Sequence, residues 1–309
     1  MSTPRYLGGQ AVVEGVMMRG ERSWAVAVRT PEGDIELAVH DAPRWADRWS
    51  GLPAVRGVAA LAESLALGFR ALAWSADRQL PEEERISQRA MGWTIGAALL
   101  FFTAVFIVLP TFINAGVASA LGVGGITYHL AEGAIRLAIF VGYLGLISLL
   151  PDIKRVFQYH GAEHKAIAAY EQGTELTPEA AQGYTTEHVR CGTNFLLTVM
   201  VVTIVVYALV GRPSLVWLIT SRIVLLPVIA GLAYEVIRFA APRMDRHWVR
   251  ILMTPGLALQ RLTTRQPSLD QLEVAITSLR AVMTAEQLTE VNARVAPVTP
   301  NPQPAFGTA

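Results

Sequence analysis

Charge is scarce in this chain. Of its 309 residues only 17% are Asp, Glu, Lys or Arg, while 52% are hydrophobic. Soluble domains carry about 25% charged residues, so the deficit points to lipid. The net charge is +1 and no block of basic residues occurs, which removes the electrostatic footprint of a nucleic-acid binder. A single cysteine, Cys191, forbids any intrachain disulfide. That suits a reducing cytosolic face and leaves the sulfur for another role. The opening stretch "MSTPRYLGGQAVVEG" lacks the basic and continuous apolar regions of a signal peptide. The glycines of "GGQAVVEGVMMRG" lack the spacing of a phosphate-binding loop. With its lone Glu14, that stretch reads as a strand approached closely by other backbone.

Long apolar runs are what the chain has instead. About 20 such residues cross a bilayer, and four runs qualify: Met91–Ala115, Glu132–Leu150, Asn194–Val210 and Leu215–Ile237. The last two are joined by the short turn "GRPS". Even-numbered spans put both termini on one side. Eleven of the 26 basic residues precede the first span, four lie between Asp152 and Arg190, and eight follow from Arg238 onward. The positive-inside rule makes those segments cytoplasmic.

The expected fold is therefore mainly α, a polytopic membrane protein with four transmembrane helices, a small N-terminal β-strand region and cytoplasmic amphipathic helices. Residues 1–50 form the cytoplasmic β region, read as strands over "AVVEGVMMRG", "SWAVAVRT" and "DIELAVH". Residues 51–90 form an amphipathic helical region, with Val55, Val58, Leu61, Leu65, Phe69 and Leu72 on one side, lying in the interface or packed on the spans. Residues 91–240 hold the spans and the cytoplasmic loop 152–192. Residues 241–292 form a helical C-terminal region, including a Ser268…Gln271 capping box. Residues 293–309 are a proline-rich disordered tail.

The chemistry-bearing residues concentrate in the 152–192 loop. From Asp152, "DIKRVFQYHGAEHKAIAAYEQG" reads as a helix ending near Gly173. His160 and His164 then lie one turn apart on one face, with Glu163 on the adjoining edge and Glu171 within about 20° of the histidine line. Two imidazoles at this spacing can bind one divalent ion, and a glutamate beside them can orient a water or take its proton. His188 and Cys191 follow, so three of six histidines and the sole cysteine fall within 32 residues. Convergence of His160, His164, His188 and Cys191 would give the nitrogen and thiolate donors that zinc prefers. The H-x-x-E-H pattern is also the inverzincin signature; that likeness stops at five letters and implies no shared fold. The bland alternative is a row of interfacial histidines and a solvated face bearing Glu163, Lys165 and Glu171, with Cys191 a buried small hydrophobe.

Ionisable groups inside spans need a reason. Glu132, Arg136 and Arg222 read as mutual partners. Glu235, at the cytoplasmic end of the fourth span, is a candidate extra ligand or tautomer-fixing acceptor, or else a partner of Arg238.

Five ordered stretches, "GGQAVVEGVMMRG", "YHGAEHKAIAAYE", "RCGTNFL", "LPVIAGLAYEVIR" and "TPGLALQRLTTRQPSLDQLEVAI", resemble the YqhQ-like bacterial membrane proteins from Gly8 to Leu279. The resemblance implies a metal-dependent enzyme in the bacterial cytoplasmic (inner) membrane and points to His160, Glu163, His164, His188 and Cys191. It supplies no reaction. The expectation is a hydrolase with a zinc-type divalent ion on those His and Cys ligands. Glu163 is its catalytic base, and Glu171 and Glu235 give outer support. Its place at the lipid interface suits an amphiphilic or membrane-proximal substrate, and an oligomer is compatible with it. The competing expectation is a non-enzymatic scaffold or regulator with a structural metal or none. A transporter is the weakest, since no broken-helix repeat is present.

Overall fold

The computed structural model describes residues 7–81, 83, 87–122, 124–210 and 214–293. The span-connecting turn at Arg212 and the proline-rich tail beyond Ala293 lie outside the described residues.

Apolar alternation at the N-terminus builds an antiparallel meander of β1 (Gly8–Val12), β2 (Gly15–Arg19), β3 (Ser23–Arg29) and β4 (Ile35–Asp41). The stretch expected as one strand over "AVVEGVMMRG" is two, because Val12 pairs with Gly15 across a two-residue turn. Such tight hairpins need a positive φ, and Glu14 supplies it at 52°. A non-glycine residue there costs roughly 1–2 kcal/mol. Here the turn aims the Glu14 carboxylate at Arg155, 2.6 Å away, and at the Tyr159 hydroxyl.

Strand periodicity sends alternate residues to opposite faces. Val16, Met18, Ala25 and Ala27 pack on α5 (Pro151–Glu171) and α11 (Leu269–Ala281). Val12, Met17, Val26 and Val28 pack on Leu67 and Ala71 of α1 (Val55–Asp77). The sheet is thus a central layer with helices on both sides. In α11, Ser268 caps the helix and Gln271 reciprocates in a full capping box.

Among the described residues five helices are long and apolar enough to cross a membrane, where four spans were expected: Val55–Asp77, Arg89–Leu121, Gly125–Ile147, Gly192–Val210 and Thr220–Arg243. The added one is α1, expected as an amphipathic helix in the interface or packed on the spans; it packs on the sheet through Leu67 and Ala71 and against α9. The second runs from α2 (Gln88–Thr103) through a π-helical stretch at Ala104–Val108 into α3 (Leu109–Leu121). It leaves Leu100 72% exposed, a placement that water disfavours and lipid does not. Next come α4 (Gly125–Ile147), α5, the short α6 (Pro178–Gln182), α7 (Gly192–Val210), α8 (Leu215–Val224) and α9 (Leu226–Ala240). The charges read as partners do pair. Buried Glu132 accepts from Arg136 at 3.0 Å, Thr111 at 3.1 Å and Arg222.

Two breaks position the site. Leu150 leaves the helical conformation and Pro151 starts α5 afresh, so α5 is a separate helix from α4. After α5, Gly173 adopts a left-handed φ of 74° and the Thr174 N–H returns to the Ala169 carbonyl. Then α10 (His247–Thr263) packs along α7, and the extended stretch after it crosses α5, the Arg265 N–H bonding the Phe157 carbonyl at 2.9 Å. Last is α12 (Ala285–Ala293).

Candidate metal centre

One turn of α5 presents His160 and His164 with their ring centroids 4.5 Å apart. Cys191 reaches them from the residue before α7, its sulfur 3.2 Å from His160 Nε2. One ligand atom from each of His160, His164 and Cys191 lies within 4.8 Å of the others.

The decisive detail is on the far side of each ring. His160 Nδ1 sits 2.8 Å from the Thr263 carbonyl, and His164 Nδ1 sits 2.5 Å from the Thr186 carbonyl. A carbonyl oxygen only accepts, so each Nδ1 must carry the proton in a neutral ring. Each Nε2 then keeps its lone pair, the state in which imidazole ligates a metal, and outer-shell carbonyls commonly fix it that way. Burial also pushes the His164 pKa down, favouring the neutral ring.

Two approaches make those contacts. A Cβ on Gly161 would overlap the Arg265 carbonyl, so only glycine lets the stretch after α10 bring Thr263 against His160. Gln260, 0% exposed, bonds both the N–H and the C=O of His188 at 2.8 Å each. That pins the loop that delivers Thr186 and Cys191.

Glu163 is 6% exposed, with its carboxylate 4.0 Å from His160 Nε2 and 3.9 Å from His164 Nε2. Burial raises its pKa, opposed by the neighbouring histidines and by a hydrogen bond from the Gly9 backbone. A Cβ on Gly9 would lie 2.8 Å from Glu163 Cγ and 2.8 Å from Met18 Sδ. The glycine-rich opening stretch therefore forms one wall of the site.

The other expected site residues have separate partners. His188 Nε2 lies 3.3 Å from Glu171, which also holds Arg190. The Glu235 carboxylate accepts from Arg56 at 2.7 and 2.5 Å and from the Ala54 N–H. Lys165, assigned to solvent in the bland alternative, is buried against the Gln182 carbonyl at 2.5 Å. The Thr186 and Thr263 carbonyls, Gln260 and Gly9 were missed as site residues. Backbone acceptors have no residue-type signature, and the paired glycines signalled only close packing.

The cluster opens into a cavity of about 1080 Å³ between the sheet edge, α1, α5, α7 and α9. The chain thus combines several long apolar helices, which suggest a multi-pass membrane protein, with a buried His–His–Cys cluster beside a carboxylate. It belongs to the family described as "Protein of unknown function (DUF1385)", whose model matches residues 52–285. It is 36% identical over 308 residues to the uncharacterized protein YqhQ of Bacillus subtilis (strain 168), covering 94% of this chain and 96% of that protein. No solved structure matches it.

Proposed function

We propose that the chain is a multi-pass membrane metalloenzyme, a hydrolase whose divalent ion, of zinc type, is held by His160, His164 and Cys191. The observation that carries this reading is the pair of Nδ1–carbonyl hydrogen bonds, which leaves two Nε2 lone pairs beside a thiol. Two imidazoles and a thiolate are a zinc donor set, and three protein ligands are the catalytic count, a structural site being closed by a fourth. The distribution of basic residues supports a cytoplasmic site and cytoplasmic termini in a bacterial inner membrane, a topology in which α1 lies on the sheet and does not cross.

The bound ion would supply Lewis acidity at the reacting bond. Glu163 takes the proton of the attacking water and returns it to the leaving group. Burial raises its pKa above the ordinary carboxylate value, the direction that suits a group that must take a proton and give it back. Gly9 holds that carboxylate in place through its backbone. Glu171 acts one step further out, orienting His188 and Arg190 at the cavity wall.

Glu163→Gln separates a hydrolase from a scaffold. It should keep metal at the wild-type level and fail to complement loss of the chromosomal copy. Full complementation by the metal-loaded variant would leave a scaffold or regulator as the better reading.

A further inference from the structure

The cavity above the cluster has a charge that the three ligands do not account for. Its lining carries three arginines, Arg19, Arg190 and Arg238, against one carboxylate, Glu163. Two of these are answered by the fold. Arg19 is paired with Glu63 and Arg190 with Glu171. Arg238 differs: it is exposed on the cavity wall, and it makes no hydrogen bond or close ion pair among the described residues. Glu235, one turn away, feels its charge but is hydrogen-bonded to Arg56. Arginine suits the planar, multi-oxygen face of a phosphate.

The same cavity is apolar on its other side. Ala60 and Leu61 of α1 and Ile237 of α9 line it, with Tyr234 between. Both helices are among those long and apolar enough to cross a membrane. At about 1080 Å³ the space lies near the upper end of small-molecule sites, more than a free inorganic anion needs. One arginine without a close partner, an apolar wall continuous with membrane-type helices and a buried ligand cluster are arranged as a head-and-tail site.

We propose that this cavity binds an anionic amphiphile, a molecule with a phosphate-bearing head and an acyl tail, with Arg238 contacting the head. The proposal deepens the hydrolase reading and rests on it for what happens to the head. Binding itself needs only the cavity.

The test uses the full chain in neutral detergent micelles with a fluorescent phosphatidic acid as probe. Competitors are unlabelled phosphatidic acid, diacylglycerol with the same chains, and inorganic phosphate. Phosphatidic acid should displace the probe at concentrations about tenfold or more below either of the others, and Arg238→Ala should weaken probe binding about tenfold, with Arg238→Lys recovering part of it. Arg238 is exposed and unbonded, so the alanine variant should fold. Ala60→Phe is a second variant, which narrows the apolar wall without touching the ligands and should also weaken binding. Equal competition by diacylglycerol would remove the anionic head from the proposal, and equal competition by inorganic phosphate would remove the tail. Unchanged binding in both variants would overturn the placement. The His160→Ala variant keeps the two readings apart. Probe binding should persist there while metal is lost; metal-free wild type that still binds the probe would sink the hydrolase and spare the cavity.

Discussion

His160 Nε2 lies 3.2 Å from Cys191 Sγ, although 31 residues separate them in the chain. Besides that hydrogen bond, each residue is held from elsewhere. The ring is fixed from behind by the Thr263 carbonyl, and the loop carrying Cys191 is fixed by Gln260. The cluster is therefore held by contacts from outside it, and its weak points lie there.

Gln260 is the first of these points. Gln260→Ala leaves a backbone N–H and a C=O of His188 without partners, at about 1–3 kcal/mol for each buried group. It touches no ligand atom. Zinc affinity should nevertheless fall about 10–100-fold, as outer-shell losses typically do. Competition against a fluorescent chelator measures this; wild-type affinity in a folded variant would show that the loop needs no pin.

Gly9 tests Glu163 separately from the metal. An alanine there pushes its Cβ to 2.8 Å from Glu163 Cγ, and such overpacking costs typically 1–3 kcal/mol. Gly9→Ala should retain metal, lower the melting temperature and fail to complement. Wild-type complementation would mean that the position of the carboxylate is not needed.

Acid should act through Glu171. Burial pushes its carboxyl up, but the hydrogen bond from His188 and the charge of Arg190 outweigh burial and hold it below its ordinary value of 4.5. A folded-state pKa depressed in this way contributes stability above the ordinary carboxylate range and loses it as pH falls through the folded value. The melting temperature of Glu171→Gln should lie below wild type at neutral pH, with the gap closing below pH 4.5. A gap that stays constant with pH would assign the loss to packing and not to the ion pair.

The sequence carried the local geometry well. Helical spacing put His160 and His164 on one face, and proline and glycine bracketed α5 within a residue or two at each end. Strand alternation exposed the small N-terminal sheet. It did not expose the hairpin at Val13–Glu14, since a glutamate with positive φ has no turn signature of its own. The apolar stripe of α1 was legible, but its packing on the sheet through Leu67 and Ala71 is a tertiary contact that periodicity does not encode. The partners of Glu235 and His188 were hidden for another reason: Arg56 and Glu171 are set against them by tertiary packing, which periodicity does not encode.

Metal content of the purified full chain tests the central claim most directly. Elemental analysis of detergent-purified wild type should give about one zinc per chain, retained in Glu163→Gln and lost in His160→Ala and Cys191→Ser. Wild type free of stoichiometric metal, after purification without chelators, would contradict it.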